Sequence, residues 1–177
     1  KASPGKYNYA SAGNGSATHL SMAYFAASAG LNMEHIPTKS TGEAVTEVLS
    51  GRAQAVIAAN VAALGFKEDK RIKLLAVTSP KRSKFIPDLP TVSESGLSSY
   101  EFNSWFALMA PAGTPKPIVQ RLHQEVSKAL GDSKVQEQLM AQGLTPRGSG
   151  PEELASTLGQ QLARYEALFR QAGIRAD

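Results

Sequence analysis

The residues best suited to chemistry lie close together near the start of the chain. Ser16 and His19 are three apart, a spacing that puts a hydroxyl and an imidazole on one helical face. A hydrolase or transferase on an α/β scaffold is therefore one reading. It lacks support around it: no Gly-x-Ser-x-Gly elbow surrounds Ser16, and no carboxylate is placed to orient the ring. No catalytic residue is assigned. Around the pair runs Ser11-Ala12-Gly13-Asn14-Gly15-Ser16-Ala17-Thr18-His19-Leu20. Gly13 and Gly15 permit a tight turn after a short apolar run, and Ser16 can cap a following helix. Free N–H groups and the positive end of the dipole at such a helix start suit a carboxylate or phosphate, and Asn14, Ser16 and Thr18 add side-chain donors. A plain capped turn accounts for the same residues, and both readings stay open. Neither a Walker A loop nor the third glycine of a dinucleotide fingerprint is present.

A second stretch, Pro37-Thr38-Lys39-Ser40-Thr41, has the same character, with hydroxyls and one lysine between a strand and a helix. In parallel α/β sheets ligands collect where such junctions meet at the carboxyl ends of the strands. Lys39 can supply countercharge to an anion. His35 falls in a strand beside Glu34 and His123 among the charges of a surface helix, and neither makes a metal-ligand spacing. No metal and no cofactor are expected.

These junctions need elements to hold them. The pattern predicts strands at Tyr7–Ala10 and Met33–Thr38. Helices follow at Ser16–Gly30, with Leu20, Tyr24 and Ala27 on one face, and at Thr41–Ser50, with Ala44, Val45, Val48 and Leu49 as its stripe. Ala53–Ala59 and Ile72–Thr78 are apolar without alternation, which predicts strands buried on both faces. A short helix is expected from Asn60. This rhythm argues for a parallel sheet flanked by helices. Ser79–Tyr100, with three prolines, reads as a long loop, and Asn103–Ala110 as a further strand. Three amphipathic helices follow: from Thr114-Pro115 to about Leu130, from Asp132 to Gly143, and after Ser149 with Leu154, Leu158, Leu162, Tyr165 and Phe169 on its stripe. They bring little sheet to pack on, so a separate partner for their apolar faces is expected. Lys1–Gly5 reads as a helix end cut mid-element.

The 177 residues suffice for one large domain or two small ones. A content of 42% hydrophobic and 19% charged residues is that of a globular chain, and no window has the apolar length of a membrane span. With no cysteine, disulfides and thiolate metal sites are excluded. Nineteen basic residues against 15 acidic give +4, but they are scattered, so no nucleic-acid partner is expected.

Taken together, Pro4-Gly5-Lys6, Ser11 to Ser16 with His19-Leu20, and His35-Ile36-Pro37-Thr38-Lys39 resemble the Bug/TctC family of periplasmic solute-binding receptors of tripartite tricarboxylate transporters. The resemblance continues through Lys81-Arg82, Pro87-Asp88-Leu89-Pro90-Thr91-Val92, Glu94-Ser95-Gly96, Trp105 and Ala110-Pro111-Ala112-Gly113-Thr114-Pro115. It implies a periplasmic-binding-protein-like (type 2) α/β fold that holds a small organic acid or amino acid between two lobes. Residues 1–102 would form most of the second, ligand-binding lobe. Residues 103–177 would return into a first lobe whose N-terminal part is missing from a truncated chain. Implied ligand contacts are Ser11, Gly13, Asn14, Gly15, Ser16, His19, Thr38, Lys39 and Ser40. A periplasmic location, delivery to transporter membrane subunits and no catalysis follow from the resemblance, as does an exposed apolar surface prone to self-association. A ligand sensor for a signalling system fits the same residues. Thr38 and Ser40 stand where the family usually has tyrosine and glycine. The run Gly51-Arg52-Ala53-Gln54 and Ala58 lack acidic residues often seen there, which would favour an anionic ligand.

Overall fold

A computed structural model describes residues 3–171, with the side chain of Gln171 left out. Its elements run in the order β1 (Asn8–Ser11), α1 (Ala17–Ala29), β2 (Glu34–Pro37), α2 (Thr41–Leu49), α3 (Asn60–Leu64), α4 (Lys116–Gly131), α5 (Ser133–Ala141) and α6 (Pro151–Gln171). Chain contacts divide into two compact units. Residues 3–104 and 168–171 belong to the first, and Trp105–Ala167 form the second.

In the first unit β1 and β2 pair in parallel, with Tyr9 opposite His35 and Ser11 opposite Pro37. A helical crossover is what parallel pairing demands, and α1 supplies it. β1 is central. Its other edge receives the 54–55 segment, through Ala10 N–H to Ala55 O at 3.0 Å and Gln54 N–H to Asn8 O at 2.9 Å.

Alternation along the strands gives the sheet two unlike faces. Ala10 and Ile36 point to one side, where Ala44 and Val48 of α2 meet Ala53 and Val56 in the apolar core. Alanine at three fully buried positions lets the helix come close to the sheet. Tyr9, Ser11 and His35 occupy the other side, facing α1.

α1 carries no single apolar stripe. Its buried residues are Ser21, Met22, Tyr24 and Ala26, while Ala27, expected on the buried face, is exposed. The reason is a second neighbour: Tyr24 stacks on Tyr100 with ring centroids 4.9 Å apart, and the Tyr100 hydroxyl donates to Ser21 O at 2.9 Å. Gly30, at φ 61°, ends α1 in the left-handed region that glycine enters without strain.

The three further strands expected from apolar runs do not form. Ala53–Ala59 contributes a single bridge, Ala55 to Tyr9, and of its residues only Ala53 is buried. Ile72–Thr78 likewise makes one bridge, Val77 to Thr91, and Leu75 is 70% exposed. Asn103–Ala110 has no strand partner among the described residues, and Phe106 is 81% exposed. A strand exists only through its ladder, so an apolar run without a second edge to pair with stays irregular.

The Ser79–Tyr100 loop is held by its own bonds. Thr91 and Glu94 cap each other reciprocally, Glu94 Oε2 accepting from Thr91 N–H at 2.7 Å and Thr91 Oγ1 from Glu94 N–H at 3.0 Å.

In the second unit, α4 and α5 bury no residue, and the α4 stripe residues Ile118 and Leu122 are 50% and 43% exposed. α4 starts at Lys116, two residues after the expected Thr114 cap, whose hydroxyl instead donates to Pro111 O at 2.8 Å. Trp105 is anchored by its indole N–H on Gln161 Oε1 at 2.6 Å.

Candidate functional site

β1 and β2 are parallel, so both strand-to-helix junctions leave from the same end of the sheet. Residues 11–16 and 37–40 therefore meet. Thr38 donates its backbone N–H to Ser11 O at 2.9 Å, and its hydroxyl, with one proton to give, lies 2.9 Å from both Ser11 O and Ser40 O. A Cβ placed on Gly13 would lie 3.2 Å from Thr38 O, and Gly13 itself sits at φ 110°. Only glycine meets both demands at once, the close approach and the positive φ.

The first junction is knitted internally. Ser16 caps α1 by accepting from His19 N–H at 3.2 Å, and its hydroxyl donates to Gly13 O at 2.7 Å. Thr18 Oγ1 takes Ala12 N–H at 2.8 Å, and His19 Nδ1 takes Gly15 N–H at 3.1 Å. The hydroxyl of Ser16 is thus engaged in capping and loop bonds. Its neighbour Asn14 is exposed at the tip of the turn. Ser11 is fully buried at the end of β1, with Oγ 2.7 Å from His35 Nε2.

His35 is the residue that the sequence left unassigned. Its ring stacks on His19 with centroids 4.1 Å apart and planes 6° from parallel, and on Tyr9 at 4.9 Å. Burial, and then the charge of the neighbouring His19, lower the His35 pKa to about 4, so the ring is neutral at neutral pH. Burial also pushes the Tyr9 hydroxyl up. A period-2 reading of Tyr9 and Ser11, combined with the parallel register, is the signal that joins them to His35; spacing along the chain alone does not.

The second junction is built differently. Ser40 is the cap of α2, one residue before the expected helix start at Thr41, and accepts from Glu43 N–H at 3.2 Å. Glu43 turns back and accepts Lys39 N–H at 2.9 Å, placing a carboxylate at the start of α2. No acidic residue lies in the first turn of α1. Lys39 is exposed and makes no ion pair among the described residues. Of the nine residues singled out from the sequence, Ser11 ends β1, His19 lies in the first turn of α1, and the other seven fall in the two adjoining loops.

An open cleft of about 570 Å³ is lined by Tyr7, Met22, Phe25, Leu31 and Met33 among others, apart from these loops. It is mostly apolar, and among the described residues no charged side chain lines it. Among the described residues no cluster of histidine, aspartate and glutamate could hold a metal ion.

The chain matches the Tripartite tricarboxylate transporter family receptor, TctC, over residues 1–174. It is 34% identical over 175 residues to a protein of the tcbD-tcbE intergenic region of Pseudomonas sp. (strain P51), covering 98% of this chain and 52% of that one. Protein BugT of Bordetella pertussis is 32% identical, with 99% and 54% covered. The chain spans about half the length of these curated relatives. Among solved structures, R. palustris Rpa4515 with adipate superposes with a TM-score of 0.89 at 32% identity, covering 97% of this chain and 57% of that one. MatC (Rpa3494) from Rhodopseudomonas palustris with bound malate gives 0.81 at 30%, covering 93% and 57%. From the paired β1–α1–β2–α2 junctions to the match along almost all of its length, this chain belongs to the TctC family, the receptors of tripartite tricarboxylate transporters.

Proposed function

We propose that the whole protein is a periplasmic receptor that captures a small organic carboxylate and delivers it to the membrane subunits of a tripartite transporter. The observation that carries this reading is the α1 end of the site. Loop 11–16 presents a helix start with no acidic residue in its first turn, and Lys39 stands exposed on the adjoining loop. An anion gains there from the helix dipole, from N–H donors and from one cation, without first displacing a carboxylate of α1. The adipate and malate bound by the two R. palustris neighbours support the same ligand class.

In this reading Asn14 at the tip of the turn and the first amides of α1 offer donors, while Gly13, Gly15 and Ser16, whose own donors are taken up within the loop, give the turn its shape. Lys39 supplies charge, while Ser11, Thr38, Ser40 and His19 hold the loops in register. The protein binds its ligand and releases it unchanged. Residues 1–102 make most of one lobe and 103–177 belong with the other; the separation of compact units at Ser104 supports a boundary in that region, while residues 168–171 group with the first unit and do not follow it.

Calorimetric titration of the full-length protein tests the proposal, using malate, adipate, tricarboxylates, amino acids and aromatic acids, with sugars and metal cations as controls. Binding to at least one carboxylate, weakened by salt, is expected. Binding confined to sugars or cations would overturn it.

A further inference from the structure

We propose that His35 is a positioning residue for the 11–16 loop: its ring accepts the Ser11 hydroxyl proton and so sets the backbone shape which that loop offers to a carboxylate. The proposal rests on the carboxylate-binding reading above and names the side chain that keeps the loop in form.

Register brings the pair together. His35 lies opposite Tyr9 across the parallel ladder, and Ser11 follows Tyr9 by two residues, on the same face of β1. Ser11 Oγ has three polar neighbours: His35 Nε2 at 2.7 Å, and Gly13 N and Gly13 O each at 3.2 Å. Its single proton can serve one of them. Gly13 O already receives the Ser16 hydroxyl at 2.7 Å and the Ser16 N–H at 3.2 Å, which fills its two lone pairs. The Ser11 proton therefore goes to Nε2, its shortest contact, and Oγ accepts the Gly13 N–H.

That pattern requires His35 to be neutral, with its proton on Nδ1, a tautomer assigned from the bonds around it. The surroundings favour neutrality. The groups facing the ring are the Tyr9 phenol from β1 and the His19 imidazole from α1. Glu34, the next residue along β2, projects to the opposite face by strand alternation. Stacked 4.1 Å apart, the two imidazoles oppose a second proton, in keeping with a His35 pKa of about 4.

Ser11 passes this restraint to both junctions. Its carbonyl accepts the Thr38 N–H, and its hydroxyl fixes the Gly13 amide, while the Gly13 carbonyl holds the Ser16 cap. Without the Nε2 acceptor the Ser11 hydroxyl must turn to Gly13 O, where it competes with Ser16. The cap and the turn before it then loosen together.

Two substitutions separate the acceptor from the ring. His35→Phe keeps a flat ring in the stack and removes the acceptor. His35→Gln places an amide oxygen at similar reach and removes the ring. In the full-length protein, with malate and adipate as calorimetric probes, His35→Phe should lower affinity at least fivefold and His35→Gln should restore most of it. Ser11→Ala should match His35→Phe, and the double variant should be no worse than either single one. Without any ligand, nitrogen NMR of the wild-type chain at neutral pH should show an unprotonated Nε2 and a protonated Nδ1 on His35. The Gly13 amide should exchange faster in His35→Phe.

Wild-type affinity in His35→Phe, a His35→Gln variant as weak as His35→Phe, or a protonated Nε2 would each overturn the proposal. If neither malate nor adipate binds the wild-type protein, the ring tautomer and Gly13 exchange still decide the role of His35, and the wider acid panel decides the carboxylate reading. The tautomer measurement needs no variant, so a misfolded mutant leaves the test intact.

Discussion

The two strand-to-helix junctions have similar sequences, SAGNGS and PTKST, and leave the same edge of the sheet, yet they are built on opposite electrostatic plans. At the first, the start of α1 has a serine cap and no carboxylate in its first turn. At the second, Glu43 lies against the start of α2 and takes the Lys39 amide. A helix N-terminus is an anion site only while its own chain leaves it vacant. The first junction therefore offers donors, and the second offers shape and the Lys39 charge. A count of hydroxyls and glycines treats them as equal, because it omits a side chain reaching back from three residues into the helix.

Substitution at Gly13 should break the contrast most sharply. Gly13→Val forces a β-branched residue to φ 110° with its Cβ 3.2 Å from Thr38 O. A loss of roughly 2 kcal/mol is expected from the strained backbone, together with loss of carboxylate binding. Urea unfolding and calorimetry measure the two. A Gly13→Val protein as stable as wild type would show that the junctions do not press on each other.

Acid should separate the faces of the sheet next. The His35 pKa is lowered to about 4 in the folded chain and is near 6.5 when unfolded. Unfolded chains thus bind the proton first, and the stability that neutral His35 contributes is complete above about pH 6.5. It should be lost progressively as pH falls from there through about 4. Melting temperatures across that window should fall more steeply in wild type than in His35→Gln; parallel curves would show that His35 does not titrate as the stack requires.

A smaller effect compares the caps. Ser16→Ala and Ser40→Ala should each cost about 1 kcal/mol of stability. Only Ser16→Ala should also weaken carboxylate binding by several-fold, since Ser16 holds the turn that carries the donors. Equal losses of affinity would make the junctions equivalent after all.

The smallest expected change is a gain. Glu43→Gln removes the negative charge at α2 while keeping a side-chain acceptor for the Lys39 amide, and should raise carboxylate affinity about twofold at low salt. Lowered affinity would show that Glu43 organises the site instead of opposing the anion.

Local rules located β1, α1, β2 and α2 to within a few residues, because each has a short-range signature: a glycine stop at Gly30, a hydroxyl before α2, an apolar stripe through Ala44, Val45 and Val48. The same rules assigned strands to Ala53–Ala59, Ile72–Thr78 and Asn103–Ala110. Apolar content made those runs look like strands, but a ladder needs a neighbour, and none of them has more than a single bridge here. Site residues followed the same division. The caps and tight turns of the two junctions were legible because they are local chemistry, whereas His35, joined to them only by strand register, was not.

What the sequence determined by itself is thus the turn chemistry: glycines where φ must be positive, serines where a helix begins, and the family pattern along the chain. What tertiary structure alone decided is which of those groups meet. Parallel register brought His35 to Ser11 across 24 residues, and helix packing laid His19 on His35. Glu43 placed a carboxylate at the start of α2, while the first turn of α1 has none. Such pairings depend on the pleat and on chain crossover, and no spacing rule along a single strand contains them.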